Sequence, residues 1–140
     1  MSRTTTSLRL DDQLREKLAK QAASEGISLT SLAERLLSQG LAEIEHPGIH
    51  FNPGPTGWRA AVSGGLDVWE IVSDIRRFDG SEAERVAALV EEIGAKQHSI
   101  MVALNYAATH REEIDARVRA NDARWEEQER VEKARHRLLT

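Results

Sequence analysis

The sequence predicts a mainly helical protein that begins with one short strand. An alternating run at residues 4–10 precedes two amphipathic helical patterns. Proline and glycine then interrupt helical structure over residues 45–66, and helical patterns resume after Gly65. We expect three units: a strand with two helices (1–45), a short β-hairpin with three helices (46–110) and a long charged helix (111–140).

The strand at residues 4–10 has two chemically different faces, because successive side chains of a strand point in opposite directions. The faces are Thr6, Leu8 and Leu10, and Thr5, Ser7 and Arg9. A lone strand leaves its backbone hydrogen-bonding groups unpaired. The simplest partner is a second copy of the same chain.

Two helices are predicted next. Asp11 or Asp12 caps the first, and Glu25-Gly26 ends it. Ser28 is the expected cap of the second. That second helix carries an apolar stripe wide enough to contact both a neighbouring helix and a partner subunit. The stripe is Leu32, Ala33, Leu36, Leu37, Leu41 and Ile44.

The order of strand and two helices over residues 3–44 resembles the ribbon-helix-helix family of repressors and antitoxins. The resemblance implies a homodimer whose paired strands enter the DNA major groove. Arginine can donate two hydrogen bonds to guanine, and threonine and serine can bond bases or touch the thymine methyl. The turn from Gly26 to Thr30 resembles the family's phosphate clamp. The expected DNA-binding residues are Arg3, Thr5, Ser7, Arg9, Ser28 and Thr30. The alternative is an ordinary edge strand with a solvated Arg9.

Composition restricts the classes of function. The formal net charge of −4 argues against bulk electrostatic binding to nucleic acid, but the first ten residues contain Arg3 and Arg9 and no acid. The absence of cysteine excludes disulfides and thiolate metal sites. Without a long apolar run or a signal-like N-terminus, we expect a soluble, cytoplasmic protein with no membrane contact.

The interrupted segment also has an apolar pattern of its own. Two short strands are expected on either side of residues 52–57, with apolar residues at spacings of two. These residues are Ile49, Phe51, Trp58, Ala60 and Val62. Together with Trp69 they indicate a second small core.

Four helical patterns follow. Asp67 is the expected cap of the first, and Ser81 with Glu84 forms a capping box for the second, which ends at Gly94. The residues expected to be buried in the first three helices are Val68, Ile71, Val72 and Ile75, then Val86, Leu89, Val90 and Ile93, then Ile100, Met101, Leu104 and Ala108. The last helix has eight basic and eight acidic residues from Arg111 to Thr140 and cannot build a core alone.

Residues 46–118 resemble the small winged-helix-like domain of certain bacterial antitoxins. The resemblance rests on His46 to Ile49, the Gly54 to Gly57 turn, Gly64 to Val72, Val102 to Ala108 and Glu112 to Asp115. It implies that this region and the tail bind and silence a cognate toxin, often a PIN-like ribonuclease. One alternative is a second dimerisation domain. Another is DNA contact by this unit, which its five basic and eight acidic residues between His46 and His110 disfavour.

The charged tail offers a mechanism for silencing such a toxin. The family's carboxylate pocket attracts guanidinium groups, so an arginine of a tail that is disordered when free could block it. Val118 and Trp125 are the expected apolar anchors. The partner-binding candidates are Trp58, Trp69, Val118, Arg124, Trp125, Arg130, Arg135 and Arg137. For each arginine the alternative is a solvated helix pair, for example Glu126 with Arg130.

No enzyme site is expected. His46 and His50 flank Pro47 and Gly48, where helical geometry is not possible, and His98 is too far from His110 to share a ligand. Phosphate-binding loops and nucleophile elbows are absent from the sequence. We therefore expect no cofactor and no metal. The two remaining functions are an antitoxin that represses its own operon, and a transcriptional regulator without a toxin whose C-terminal part oligomerises.

Overall fold

The computed structural model describes residues 2–140, and it divides into two compact units. The first unit ends at Leu41, and the second runs from Ala42 to Thr140. Six helices and one two-stranded antiparallel sheet are present in this part of the chain. The expectation of a mainly helical chain is therefore confirmed.

Both helices of the first unit begin and end where the sequence predicts. Helix α1 spans Asp12–Glu25, and the Asp11 carboxylate accepts hydrogen bonds from the first turn. Gly26 ends α1 with a φ of 69°, a left-handed conformation that glycine adopts without strain. Helix α2 spans Leu29–Glu45, and Ser28 Oγ accepts from the Ser31 N–H at 3.0 Å.

The first unit buries very few apolar side chains in a single chain. Among residues 2–41, only Ala22 and Leu32 are buried. Residues 2–10 are exposed and form no strand, because a strand needs a hydrogen-bonded partner and the predicted partner is a second copy. The N-terminal strand therefore stays a prediction, and the unit has a small core of its own.

One ion pair ties α1 to α2. Two guanidinium nitrogens of Arg35 donate to the two carboxylate oxygens of Glu25, at 2.6 and 3.1 Å. The side chains are only 20% and 25% exposed. The hydrogen bonds from Arg35, with a further one from Gln21, lower the pKa of Glu25 from 4.5 to about 2. The pair is therefore charged at all but strongly acidic pH.

We expect Glu25→Gln to lower the thermal stability of the protein at neutral pH. A lowered folded-state pKa contributes stability above the unfolded value, and this contribution is lost as pH falls from about 4.5 towards about 2. The difference in Tm between the two proteins should therefore shrink across this range in circular dichroism melts. Glu16→Gln is the control, because Glu16 is 69% exposed and pairs only with Lys20. A Tm difference that does not change with pH would contradict the assignment.

The second unit combines a small hairpin with four helices. Strands β1 (His50–Asn52) and β2 (Arg59–Ala61) pair antiparallel, with Phe51 opposite Ala60. The helices are α3 (Val68–Ile75), α4 (Glu82–Ile93), α5 (Gln97–Thr109) and α6 (Arg111–Leu138). The hairpin predicted around residues 52–57 is thus confirmed.

The helix signals predicted for the second unit are confirmed at Gly94, half confirmed at Ser81 and wrong at Asp67. Gly94 ends α4 with a φ of 68°, and Ser81 Oγ accepts from the Glu84 N–H at 3.2 Å. The Glu84 carboxylate accepts from the Ser81 hydroxyl at 3.1 Å and not from the Ser81 N–H, so only one half of the capping box forms. Asp67 precedes α3, but its side chain makes no capping bond. It instead accepts from Trp69 Nε1 at 3.1 Å and pairs with Arg59 at 3.0 Å. The prediction that this carboxylate caps α3 was wrong, because its Oδ2 atom binds the Arg59 guanidinium and the Trp69 indole instead.

The core of the second unit forms around α5, which packs against α3, α4 and α6. Ile100 is buried as predicted, Met101 and Leu104 are half-buried, and Ala108 is exposed. Contact on more than one side buries further α5 residues that a single amphipathic stripe does not include. These are Ser99, Val102, Ala103 and Tyr106.

Helix α6 changes character along its length. Ile114 is buried and Val118 is half-buried, whereas every residue from Asp122 to the end is exposed. The predicted long charged helix is confirmed. The stretch expected to be disordered when free forms the outer turns of this helix. Within residues 2–140, no helix combines the length and the apolar character needed to cross a membrane.

Candidate functional site

The predicted DNA-contacting side chains at the N-terminus are accessible. Thr5, Ser7 and Arg9 are exposed and make no hydrogen bond or ion pair with any residue that the structure describes. Arg3 differs, because its guanidinium pairs with Glu34 at 2.9 Å. Both side chains of that pair are more than half exposed, so the contact is weak in water. Arg9 is the cation of this segment without such a partner.

The start of α2 is used for capping. The Ser28 hydroxyl accepts from the Ser31 N–H and donates to Ser31 Oγ at 2.9 Å. A direct bond from Ser28 to phosphate would compete with this cap. Thr30 is exposed in the first turn, where backbone N–H groups have no partner within the helix. The backbone and Thr30 are therefore better placed than the Ser28 side chain to meet an anion.

The first unit also exposes several large apolar side chains. Leu36, Leu37 and Leu41 are 47%, 57% and 58% exposed on α2, and Leu8 is 67% exposed. Large apolar side chains are seldom left in water at neighbouring helix positions unless another surface covers them. We call these four residues the apolar face.

The second unit contains an open groove of about 400 Å³. The turn between β1 and β2, the beginning of α3 and one side of α6 form its walls. Its lining residues are Pro55, Thr56, Arg59, Trp69, Glu113, Ala116, Arg117, Ala120, Asn121 and Arg124. We call this the hairpin groove.

Arg117 fixes the hairpin turn to α6. One of its nitrogens donates to Thr56 Oγ1 at 2.7 Å and the other to the Trp58 carbonyl at 2.9 Å. Both acceptors are neutral, so these bonds position the guanidinium without cancelling its charge. Arg117 forms no ion pair among residues 2–140. Its positive charge therefore remains effective in the groove.

Asp67 binds two residues that line the groove, Arg59 and Trp69. Its carboxylate is only 8% exposed and binds both Arg59 and the Trp69 indole N–H. The charge of Arg59 is thereby compensated, and the Trp69 ring is held in position. Glu113, a carboxylate of the groove, accepts from the Tyr106 hydroxyl at 3.0 Å. Burial, together with the nearby Glu113 charge, raises the pKa of Tyr106, so the phenol remains a donor.

Two histidines that the sequence did not pair come together near the end of α2. The ring centroids of His46 and His110 are 5.6 Å apart, and the Thr109 hydroxyl lies within hydrogen-bond distance of both rings. Tyr106 stacks on His110 at 4.0 Å. Sequence reasoning considered His46 only with His50. No cluster of three potential metal-binding side chains occurs in the described part of the chain.

Comparison with protein-family models, with curated proteins and with solved structures finds no match to this chain. The function is therefore argued from these surfaces alone.

The predicted partner-binding residues divide into two sets. Trp69 and Arg124 line the hairpin groove, and the Trp58 carbonyl binds Arg117 beside it. Val118 is half-buried on α6. The remaining candidates lie on the exposed outer turns of α6 and outside the groove: Trp125, Arg130, Arg135 and Arg137. Arg130 pairs with Glu127 and not with Glu126, the neighbour suggested from helical spacing.

Of the ten residues that line the groove, only Trp69 and Arg124 were predicted as partner-binding residues. The residues that were missed include Arg59, Glu113, Arg117 and Asn121. One signal was present for Arg117, because it precedes Arg124 by seven residues and such a spacing places both on one side of a helix. Arg59 and Glu113 carried no such signal, because their partners Asp67 and Tyr106 are recognisable only after folding.

Proposed function

We propose that this chain is an antitoxin that binds operator DNA as a ribbon-helix-helix homodimer, represses its own operon and neutralises a ribonuclease toxin through the region after His46. The observation that carries the proposal is the exposed N-terminal segment, in which Arg9 has no partner and Leu8 is uncovered. A second copy that pairs with this segment would cover the leucine and leave the arginine directed outward.

Charge distribution supports DNA contact by the first unit. Residues 1–41 contain six basic and five acidic side chains, whereas residues 42–140 contain thirteen basic and eighteen acidic ones. Phosphate is attracted to the first unit and repelled on average by the second. A two-fold dimer of this kind reads two related half-sites, so the operator is expected to be a near-palindrome beside the protein's own gene.

The outer turns of α6 support the binding of a partner protein. Trp125 is 63% exposed and Val131 is 51% exposed, with arginines at positions 124, 130, 135 and 137 around them. Exposed tryptophan and arginine are the residue types that contribute most to binding at protein interfaces. A ribonuclease with a carboxylate pocket would accept one of these guanidinium groups.

Co-expression with the adjacent genes tests the proposal. A small protein should co-purify in fixed ratio and show ribonuclease activity once separated. Alanine replacement of Arg124, Arg130, Arg135 and Arg137 in turn should restore activity in the complex for at least one position. Recovery of a bare homodimer with the neighbours expressed would contradict the antitoxin function and leave a transcriptional regulator whose C-terminal region oligomerises.

A further inference from the structure

We infer that the hairpin groove binds an acidic, partly apolar peptide segment of the partner protein. This inference rests on the proposed partner binding and gives it a second contact. The outer turns of α6 would reach the partner's pocket, whereas the groove would accept a segment that the partner supplies.

The electrostatics of the groove favour carboxylates. Arg124 is exposed and forms no ion pair with any residue between 2 and 140, and Arg117 is held by neutral acceptors only. The remaining charges are Arg59, which Asp67 compensates, and Glu113. The groove therefore contains two guanidinium groups without an ion-pair partner in the described chain, Arg117 and Arg124, and one carboxylate, Glu113. The groove is positive within a unit whose net charge is negative.

One of these two cations, Arg117, is held in a fixed position by hydrogen bonds. Because Thr56 and Trp58 fix Arg117, its guanidinium has already lost side-chain freedom before a ligand arrives. Arg124 lies seven residues further along α6, about 10 Å at the rise of an α-helix. Every second side chain of an extended strand points to the same side at intervals of about 7 Å, so two carboxylates four residues apart face the groove about 13 Å from each other, with one side chain between them. Long glutamate and arginine side chains accommodate the difference from the helical spacing of about 10 Å.

The remaining lining selects a peptide over a nucleic acid. Pro55, Trp69, Ala116 and Ala120 add apolar surface to the lining of the groove. A peptide can present an apolar side chain between two carboxylates, whereas a phosphate backbone presents continuous negative charge to an acidic unit. An acidic segment with interspersed apolar residues satisfies both features.

The side of α6 that lines the groove continues past Arg124. Val131 and Leu138 follow Arg124 at successive intervals of seven residues, and both are exposed. Seven residues are close to two full helical turns, so these positions lie on nearly the same side as Arg117. A bound segment could therefore extend from the groove along the outer turns of α6.

Nuclear magnetic resonance of the full chain provides the test. The probe is a capped 12-residue peptide of three Glu-Ser-Leu-Ser repeats, in which glutamate and leucine share one side of an extended strand. The readout is the indole N–H signal of Trp69, identified with Trp69→Phe. We expect this signal to shift until it saturates as peptide is added. We expect Arg124→Glu to raise the dissociation constant of the peptide at least about tenfold. Arg119→Glu is the matched control, because Arg119 is exposed on the same helix and does not line the groove.

Three results would overturn the inference. They are no shift of Trp69, an equal shift with a peptide of three Gln-Ser-Leu-Ser repeats, and tighter binding of a 12-nucleotide thymidine strand than of the acidic peptide. Operator affinity and partner binding, measured on the same variants, separate the two proposals. If the partner binds wild type and Arg124→Glu with the same dissociation constant, the groove inference fails while the antitoxin function stands, because the outer turns of α6 can retain the partner. If no partner is found, the peptide titration still tests the groove.

Discussion

Replacement of Arg9 by alanine is expected to weaken operator binding by about tenfold or more. A bidentate arginine to guanine contributes about 1–3 kcal/mol of discrimination, and a dimer would lose this contact in both copies. Arg9 makes no ion pair or hydrogen bond with the described residues, so its removal should leave the fold unchanged.

The measurement is fluorescence anisotropy with labelled DNA from upstream of the protein's own gene, at fixed salt concentration. Arg15→Ala is the control, because it removes the same charge from an exposed position on α1. A general loss of electrostatic attraction would weaken both variants alike. Equal affinities of wild type and Arg9→Ala would refute the assignment of residues 4–10 to the DNA-reading strand.

Leu37→Glu is expected to convert the dimer to monomers and to abolish operator binding. Leu37 is 57% exposed in the single chain and belongs to the apolar face that a second copy would cover. Burial of a leucine side chain contributes about 1.5–3 kcal/mol, and the substitution removes it twice per dimer. The added carboxylates would also lose water without gaining partners. We expect the dimer dissociation constant to rise by at least about 100-fold.

Analytical ultracentrifugation of the full chain gives the oligomeric state directly. Gln13→Glu is the control, since it adds the same charge at an exposed position on α1 and leaves the apolar face unchanged. A dimer of unchanged stability in Leu37→Glu would show that α2 is not the interface. A monomeric wild type would contradict the proposed dimer itself.

Local signals in the sequence determined where α1, α2 and α4 begin and where α1 and α4 end. Asp11, Ser28 and Ser81 each accept a backbone N–H within three residues, and Gly26 and Gly94 end their helices with positive φ. These interactions depend only on neighbours in the chain. The hairpin was also readable, because proline and glycine at residues 53–57 separate two short apolar alternations.

Tertiary structure decided how polar side chains are used. Asp67 stands at a capping position, but Arg59 and Trp69 bind its carboxylate instead. Tyr106 is buried because other helices pack against more than one side of α5. The periodicity of a single helix reveals one buried stripe and does not show how many neighbours surround it.

The sequence by itself therefore determined the helical class, the starts of α1, α2 and α4 and the ends of α1 and α4, because each depends on residues a few positions apart. Only the tertiary structure revealed the hairpin groove. Its central contact joins Arg117 to Thr56, which lie 61 residues apart, and no local pattern specifies such a pair. The net charge of the groove depends on which guanidinium groups pair with carboxylates and which bond only to neutral oxygens. These partners are distant in the sequence and come together only when the chain folds.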